Sequence, residues 1–395
     1  MQIGFAKVNI TPPILTCSNG GMYYSPTEFH KGVHDDLYAR ALVLEDEDIW
    51  AVIVSVDLIN LPKLSVIPIK KMIKEYCNIP EENIILHATH QHSGPFSYRF
   101  KEGIRNDDYW TVTEQKIAGS VYMALTNMEE CLVGAGKSTL NYTLNRRVLQ
   151  PDGSVLYLPS HPGLVPNQPV DNEVGIISFM NLDDQPLVTM INYSCHPLIV
   201  GFLPRLISAD FPGETVKQVE RQVSGHAIFT NGASGNIHAK KHCEGFEAME
   251  AFGAALASGV IRTMPLIHGT EGKHLQIIQK TIVLKLIPEK IELTEDIQQF
   301  HKRNTMDFEI TLLSFNDIAL VALPAEYFVE LQLEIKNRSP IENTYLITTS
   351  NGYCSYIPDS KAYDQEGFET SSAKFCRGTG EQIRDTILEM LSQIA

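Results

Sequence analysis

The segment from His87 to Pro95 contains three histidines within six positions. It follows an apolar stretch that predicts a strand, and Gly94-Pro95 predicts a sharp turn directly after the last histidine. Residues two apart in an extended chain point to the same side, so His90 and His92 are expected to face one site together. Neutral imidazoles at the end of a rigid strand are suitable ligands for a transition metal. A capped turn or a hydrogen-bonded polar core would explain the same pair, so the local pattern leaves the metal open.

Three further segments place chemically useful side chains at the ends of predicted strands. His196 precedes Pro197 where a hairpin strand ends, Glu326 follows another strand, and a tyrosine-rich loop covers 351–356. Each has an ordinary structural explanation: a buried histidine with satisfied hydrogen bonds, a carboxylate that favours a helix N-terminus, or surface aromatic residues. The segments become informative only in combination.

Apolar runs and helical patterns alternate along the chain without internal repeats. Hairpins are predicted at 38–57, 174–194 and 310–322, and a further strand at 83–89, directly before the histidines. Helices are predicted at 62–77, 107–127, 243–263 and 381–394. Hairpins combined with helix-separated strands predict an α/β fold of mixed β-sheets flanked by helices. We interpret residues 1–395 as one domain, with the polar stretch 285–305 as an insertion.

The composition describes an acidic globular protein. The 395 residues carry a formal net charge of −15, and 44% of them are hydrophobic. This acidity argues against nucleic acid or an anionic membrane as a partner, because either would need a positive field. No apolar run approaches the ~20 residues of a membrane-spanning helix, and the N-terminus does not resemble a secretory signal. Seven cysteines without paired spacing predict reduced thiols and a cytoplasmic location.

Several segments, spread nearly from end to end, together resemble the neutral (non-lysosomal) ceramidase family. The most specific is Thr89–Pro95, which is similar to the family signature Thr-His-Thr-His-Ser-Gly-Pro. The other similar segments are Gly4–Pro12, Ala39–Ala41, Val54–Asp57, Asn145-Arg146, Ser208–Asp210 with Gly213, Leu323–Glu326 and the run from Tyr356 to Glu369. The resemblance implies the catalytic-domain fold of that family and a hydrolase that cleaves an amide bond.

The resemblance also implies a site. In the family, one zinc ion is held by the first signature histidine, a His-Pro histidine, a glutamate and a loop tyrosine, which correspond to His90, His196, Glu326 and Tyr356. Nitrogen and oxygen donors with one position left for water are typical of catalytic zinc. We therefore expect one Zn²⁺ per chain. By the same resemblance His92 would activate the attacking water, and Arg146 would stabilise the oxyanion of the tetrahedral intermediate.

The sequence departs from the family at positions that bear on the substrate. The segment from Gly235 to Ala239 stands where the family has Gly-Asp-x-Ser-Pro-Asn, so His238 occupies the place of a catalytic serine. We expect His238 to protonate the leaving amine. Phe368 replaces a family tyrosine, and the chain ends where the immunoglobulin-like C-terminal domain of the family would begin, so no such domain is expected. These changes favour a small soluble N-acyl substrate over ceramide.

Three alternatives remain open at this point. An ester or lactone hydrolase could use the same zinc site. A catalytically inactive metal-binding or ligand-binding protein would fit the loss of the serine and the tyrosine. Finally, His238 and His242, four residues apart and next to Cys243, could form a second metal site if the segment were helical.

Overall fold

The computed structural model of the protein describes residues 1–13, 29–95, 97, 107–161, 163–201, 205–293 and 300–394. The α-helices of these residues are α1 (Lys63–Cys77), α2 (Asp107–Leu125), α3 (Asp210–Gln222), α4 (Phe246–Thr263), α5 (Val329–Arg338), α6 (Ser360–Gln365), α7 (Phe368–Ser372) and α8 (Thr379–Ile394). No helix in the described ranges is both long and apolar enough to cross a membrane. Of the cysteines, Cys17 lies outside the described residues, and those inside them are free thiols.

Most strands of the same residues are short, and eight of them have eight residues or more. In chain order they are β1 (Gln2–Asn9), β2 (Gly32–Val33), β3 (Tyr38–Asp46), β4 (Ile49–Val56), β5 (Ile84–Ala88), β6 (Glu129–Glu130), β7 (Leu132–Thr139), β8 (Thr143–Asn145), β9 (Arg147–Leu149), β10 (Val155–Tyr157), β11 (Glu173–Met180), β12 (Pro186–Tyr193), β13 (Leu206–Ile207), β14 (His226–Asn231), β15 (Ile237–Ala239), β16 (Thr270–Glu271), β17 (Gln276–Lys285), β18 (His301–Lys302), β19 (Thr305–Phe315), β20 (Ile318–Ala322), β21 (Glu326–Tyr327), β22 (Asn343–Ile347) and β23 (Tyr356–Ile357).

Three larger sheets repeat one arrangement of strands and helices. Their strand orders are β5-β4-β3-β1-β6, β14-β12-β11-β7-β16 and β22-β20-β19-β17. In each sheet three strands run antiparallel, and a crossover helix then leads to a parallel edge strand: β4–α1–β5, β12–α3–β14 and β20–α5–β22. A second helix contacts each crossover helix, giving the pairs α1 with α2, α3 with α4 and α5 with α8. The three sheets therefore repeat one topology, although no repeat is visible in the sequence.

The burial of each strand explains its composition. Strand β4 is apolar at nearly every position and is buried from Ala51 to Val56, because the sheet is covered on both faces. Strand β17 lies at a sheet edge, keeps polar residues throughout and is largely accessible to solvent. One apolar cluster joins the inner faces of all three sheets, and three further clusters lie between each sheet and its helices. The predicted architecture of mixed sheets flanked by helices is thus confirmed.

The sequence did not predict helix α3. Helix α3 begins with Asp210, Phe211, Pro212 and Gly213, and such an opening resembles a loop. Its buried residues Phe211, Val216 and Val219 nevertheless form one apolar face towards the sheet. In the stretch 285–305, a 3₁₀ helix covers Pro288–Leu293, and residues 294–299 lie outside the described part of the chain.

A single buried histidine connects the edge strands of the three sheets. His87 lies in β5, and its Nδ1 donates a hydrogen bond of 2.8 Å to the carbonyl of Thr348, just after β22. The backbone N–H of Asn231, the last residue of β14, donates to His87 Nε2 at 3.2 Å. The carboxyl ends of these strands therefore meet, and the loops that follow them lie close together.

Candidate metal centre and adjoining cleft

The predicted metal ligands come from all three sheets. His90 follows β5, as does the predicted catalytic residue His92; His196 follows β12, and Glu326 begins β21 just after β20. Tyr356 lies in β23, where it is the register partner of Glu326. The strands β5, β12 and β20, which precede these residues, each pair with a parallel neighbouring strand. A site at the carboxyl ends of parallel strands is the usual position for ligand binding in α/β folds.

His90 and His92 face each other for a reason other than strand alternation. Strand β5 ends at Ala88, and His90 adopts a left-handed backbone conformation with a φ of 72°. The side chain of Gln91 fixes this loop by two hydrogen bonds. Its Nε2 donates to the carbonyl of Asp57 at 3.0 Å, and its Oε1 accepts from the N–H of Ser93 at 2.6 Å. The two histidine rings lie 5.0 Å apart, nearly perpendicular.

Three buried histidines form the group in the described residues whose spacing suits a metal ion. The ligand atoms of His90, His92 and His196 lie within 4.8 Å of one another. His90 Nδ1 is 2.6 Å from the carbonyl oxygen of Ile59, and His196 Nδ1 is 3.2 Å from that of Ser234. A carbonyl can only accept, so both Nδ1 atoms carry a proton, and in the neutral form of each ring Nε2 carries a lone pair.

These lone pairs point towards a carboxylate. His90 Nε2 lies 3.4 Å and His196 Nε2 3.8 Å from Glu326 Oε2. Within the described residues, neither His90 Nε2 nor Glu326 Oε2 has a hydrogen-bond partner. Acceptors that converge in a buried place need a cation between them. Ligand atoms at about 2.0–2.1 Å from a tetrahedral zinc ion are about 3.3 Å apart, which is close to the observed spacing. The donor set therefore fits zinc.

Two tyrosines border the cluster. The Tyr353 hydroxyl donates a hydrogen bond to Glu326 Oε1, and its ring stacks 6.2 Å from the ring of His90. Tyr356 is buried, and the Arg146 guanidinium carbon lies 5.5 Å from its ring centre. The sequence predicted Tyr356 but not Tyr353. The tyrosine density of the loop was the available signal, and spacing alone could not show which hydroxyl reaches the carboxylate.

Burial and neighbouring charges set the protonation of the site. Burial lowers the pKa of His92 and of His196 well below the usual value, and the other histidines and Arg146 lower them further. Burial opposes ionisation of Glu326, but His90, Tyr353 and Arg146 outweigh it and lower the pKa of this carboxyl. His92 and His196 are therefore neutral and Glu326 is charged at neutral pH, and these are forms that can bind a metal ion.

Arg146 and His238 form one buried hydrogen-bonded group. Arg146 donates from Nε to Glu369 Oε1 at 2.7 Å, from Nη1 to His238 Nε2 at 2.5 Å and from Nη2 to the carbonyl of Gly235 at 2.6 Å. Strand β15, which contains His238, pairs with β8 directly before Arg146. Because Nε2 of His238 accepts from a guanidinium, the neutral ring carries its proton on Nδ1.

This arrangement bears on the role expected for His238. Burial lowers the pKa of His238 well below its usual value, and Arg146 and His242 lower it further. An imidazolium that could protonate an amine is therefore disfavoured, and the geometry favours hydrogen bonding over acid catalysis.

The second metal site suggested by His238, His242 and Cys243 differs from its expected form. His238 lies in a strand and not in a helix, and the two histidine rings stack at 4.0 Å with an angle of 19° between their planes. Cys243 Sγ lies 3.3 Å from His242 Nε2. Among the described residues, these side chains do not form a group with metal-ligand spacing.

A cleft of about 940 Å³ opens beside the cluster and reaches His196, Arg146 and His238. One wall is apolar and is formed by Leu144, Leu158, Leu164, Leu198, Val200 and Phe368. The segment 154–170 at its mouth contains no charged residue, and Val165 in it is 77% exposed. The cleft therefore offers an apolar wall and a polar end next to the candidate metal centre.

Comparison with known proteins finds a matching family model and similar sequences. The family model described as neutral/alkaline non-lysosomal ceramidase, N-terminal, matches residues 1–259. The chain is 25% identical to neutral ceramidase B of Dictyostelium discoideum over 235 residues, 57% of this chain and 32% of that protein. It is also 25% identical to the neutral ceramidase of Drosophila melanogaster over 228 residues, 56% of this chain and 32% of that protein. The match thus spans about a third of the length of these curated relatives.

Solved structures show the same fold. The crystal structure of neutral ceramidase from Pseudomonas aeruginosa superimposes with a TM-score of 0.79 at 16% sequence identity, covering 99% of this chain and 74% of that one. A structure described as ceramidase complexed with C2 matches equally well.

Proposed function

Because the chain belongs to the neutral/alkaline non-lysosomal ceramidase family, we propose that it is a zinc-dependent hydrolase that cleaves the amide bond of an N-acyl substrate. The observation that carries this proposal is the convergence of His90 Nε2 and His196 Nε2 on Glu326 Oε2 at the end of the cleft. Neutral imidazoles and a carboxylate oxygen are the ligands that catalytic zinc uses.

His90, His196 and Glu326 would hold the zinc ion, with Tyr356 as the fourth ligand suggested by the resemblance. When bound, zinc supplies a Lewis acid that polarises the scissile carbonyl and lowers the pKa of water. The carbonyls of Ile59 and Ser234 hold the two histidines in the required tautomer. Such support of ligands by backbone acceptors is typical of metal sites.

His92 is placed to accept a proton from the attacking water. Its ring lies 5.0 Å from the rings of His90 and of His196, and burial keeps it neutral. A neutral imidazole beside the reacting atoms can act as a general base.

Arg146 would stabilise negative charge that develops on the carbonyl oxygen. Burial opposes the charge of this guanidinium, but contacts with Tyr356 and Glu369 raise its pKa. Three acceptors fix its orientation. A fixed cation in a buried site stabilises the transition state without reorganisation.

The cleft favours a larger substrate than the small soluble one expected from the sequence. A volume of about 940 Å³ is near the upper end of ordinary ligand pockets, roughly 300–1,000 Å³. The apolar wall suits the acyl chain, and the polar end near Arg146 and His238 suits the amine part.

The test uses protein loaded with one equivalent of zinc and a series of N-acyl amides with acyl chains of two to sixteen carbons. We expect released carboxylic acid to be detected by mass spectrometry, with kcat/KM rising with chain length as the apolar wall is filled. Matched esters separate amide hydrolysis from the ester alternative. The variant His196→Ala should abolish turnover, whereas His226→Ala, a change at an exposed histidine, should not. Zinc-loaded protein that cleaves no amide in the series would refute the proposal.

A further inference from the structure

At the polar end of the cleft, one buried hydrogen-bond donor has no acceptor among the described residues. His238 is 1% exposed and lines the cleft, and its Nε2 is used by Arg146. The remaining ring nitrogen, Nδ1, carries the proton. Within the described residues it has no hydrogen-bond partner. A buried donor left without an acceptor is unfavourable, so a ligand atom that accepts this hydrogen bond would be held well.

Lys240 adds a positive charge to the same part of the cleft. Its backbone N–H donates to the carbonyl of Tyr142 at 2.8 Å, so the pairing with the chain around β8 continues past the end of β15. Residues two apart in such an extended segment project from the same side, which places Lys240 beside His238. Both line the cleft.

The charge of Lys240 is not neutralised by a carboxylate. Its Nζ donates to the backbone carbonyl and the side-chain Oδ1 of Asn141, at 2.8 and 3.1 Å, and both of these acceptors are neutral. No carboxylate in the described part of the chain lies within ion-pair distance of it. The nearby Glu244 is exposed and lies 3.9 Å from Lys241.

Arg146, the hydrogen-bond partner of His238, has a carboxylate partner that it shares with a second arginine. Glu369 accepts from Arg146 Nε through one oxygen and from Arg147 Nη1 through the other, at 2.7 and 2.8 Å. Two guanidinium groups therefore share one carboxylate. The hydrogen bond from Arg146 polarises the His238 ring and strengthens its Nδ1–H as a donor.

We propose that this cleft selects N-acyl substrates whose amine part carries a carboxylate, that is, N-acyl amino acids, and that His238 and Lys240 bind this carboxylate. The inference rests on the proposed amide hydrolysis and names its substrate class. A carboxylate accepts from both donors and offsets the unpaired charge of Lys240, whereas a hydroxyl group offers only one weak acceptor and no charge.

The experiment compares two amides of similar size that differ in this group, N-octanoylglycine and N-octanoylethanolamine, with zinc-loaded full-length protein. We expect kcat/KM for the glycine conjugate to exceed that for the ethanolamine conjugate by about tenfold to a hundredfold, the usual contribution of a charge-assisted hydrogen bond. In Lys240→Met and in His238→Ser the ratio should fall towards one, mainly through a higher KM for the glycine conjugate. His161→Ser makes the same chemical change at an exposed histidine near the cleft mouth and should keep the ratio.

The outcomes separate this inference from the proposed function. Equal turnover of both amides, or a preference that survives in both variants, would overturn the substrate proposal and leave amide hydrolysis intact. If neither amide is cleaved, the proposed hydrolysis fails, and calorimetric binding of the two compounds then decides the recognition of the carboxylate. Tighter binding of N-octanoylglycine that is lost in Lys240→Met would support it, and equal binding would refute it.

Discussion

His87 should make the stability of this protein sensitive to mild acid. Burial lowers the pKa of His87 from an ordinary 6.5 to about 3; the hydrogen bond to the Thr348 carbonyl opposes this shift, and nearby His90 contributes to it. A protonated ring could not accept the hydrogen bond from Asn231 N–H. The unfolded chain therefore binds this proton first as pH falls. The contribution of His87 to the free energy of unfolding is therefore fully present above pH 6.5 and is lost as the pH falls from 6.5 to 3.

The magnitude follows from the shift. A difference of about 3.5 pH units at 1.36 kcal/mol each corresponds to roughly 5 kcal/mol in full, of which roughly 2 kcal/mol is lost between pH 6.5 and 5. The variant His87→Asn keeps the donor to Thr348 but loses the acceptor for Asn231. It should be less stable than the wild type by about 1–3 kcal/mol at pH 8, because a buried N–H is left unsatisfied.

The assay is urea unfolding at pH 8, 7, 6.5, 6, 5.5 and 5, with a chelator present so that metal release does not contribute. Buried histidines that do not interact with His87 act equally in both proteins, so the difference in slope reports His87 together with its interaction with His90. Below pH 6.5 the free energy of unfolding of His87→Asn should fall less steeply than that of the wild type, by about 1.4 kcal/mol per pH unit. His161→Asn, at an exposed position, serves as the control. Equal slopes for the wild type and His87→Asn would refute the reasoning.

Three further predictions concern the metal centre and the packing of the sheets. The variants His90→Ala and His196→Ala should each lose most of the bound zinc by elemental analysis, and full occupancy in both would contradict the assigned ligands. Tyr353→Phe removes the hydrogen bond to the glutamate of the cluster and should weaken zinc binding by about 10–100-fold in a chelator competition; unchanged affinity would remove this tyrosine from the site. Gly175→Ala would bring a methyl group within 2.2 Å of a carbon of the Tyr345 ring and should lower the free energy of unfolding by about 1–3 kcal/mol; urea unfolding with no such loss would contradict this.

The elements that were predicted correctly are those whose pattern is decided locally. Strands β3 and β4 are apolar runs on both sides of an acidic turn, and α1 has a clear amphipathic pattern. Helix α3 was missed because Pro212 and Gly213 lie in its first turn, and only its packing against β14 shows its apolar face. The repeated topology had no signal in the sequence. A buried strand requires only apolar side chains, and a crossover helix requires only one apolar face. Different sequences meet these requirements, so the three units share a topology without sharing a sequence pattern.

The candidate site likewise contains residues that could be predicted from the sequence and residues that could not. Resemblance predicted the residues that the structure gathers around Glu326, and their distances and tautomers came from the fold. The environment of His238 could not be predicted, because it depends on a hydrogen bond to Arg146, 92 positions away along the chain. The acid role assigned to His238 by analogy with a serine took no account of that neighbour. Tyr353 was missed because the turn of its loop, with Asn351 and Ser355 at positive φ, decides which hydroxyl reaches the carboxylate.

The position of each residue in the fold explains which parts of the site can change. His90, His196 and Glu326 follow strands of the three large sheets, and backbone carbonyls or the register with β23 fix their orientation. Moving any of them would disturb a core shared by all three sheets. His238 belongs instead to the two-stranded β8–β15 sheet, which forms one side of the cleft. A substitution there would alter what the cleft binds while the proposed metal ligands keep their supports, so we expect changes of substrate choice to arise from the residues of this small sheet.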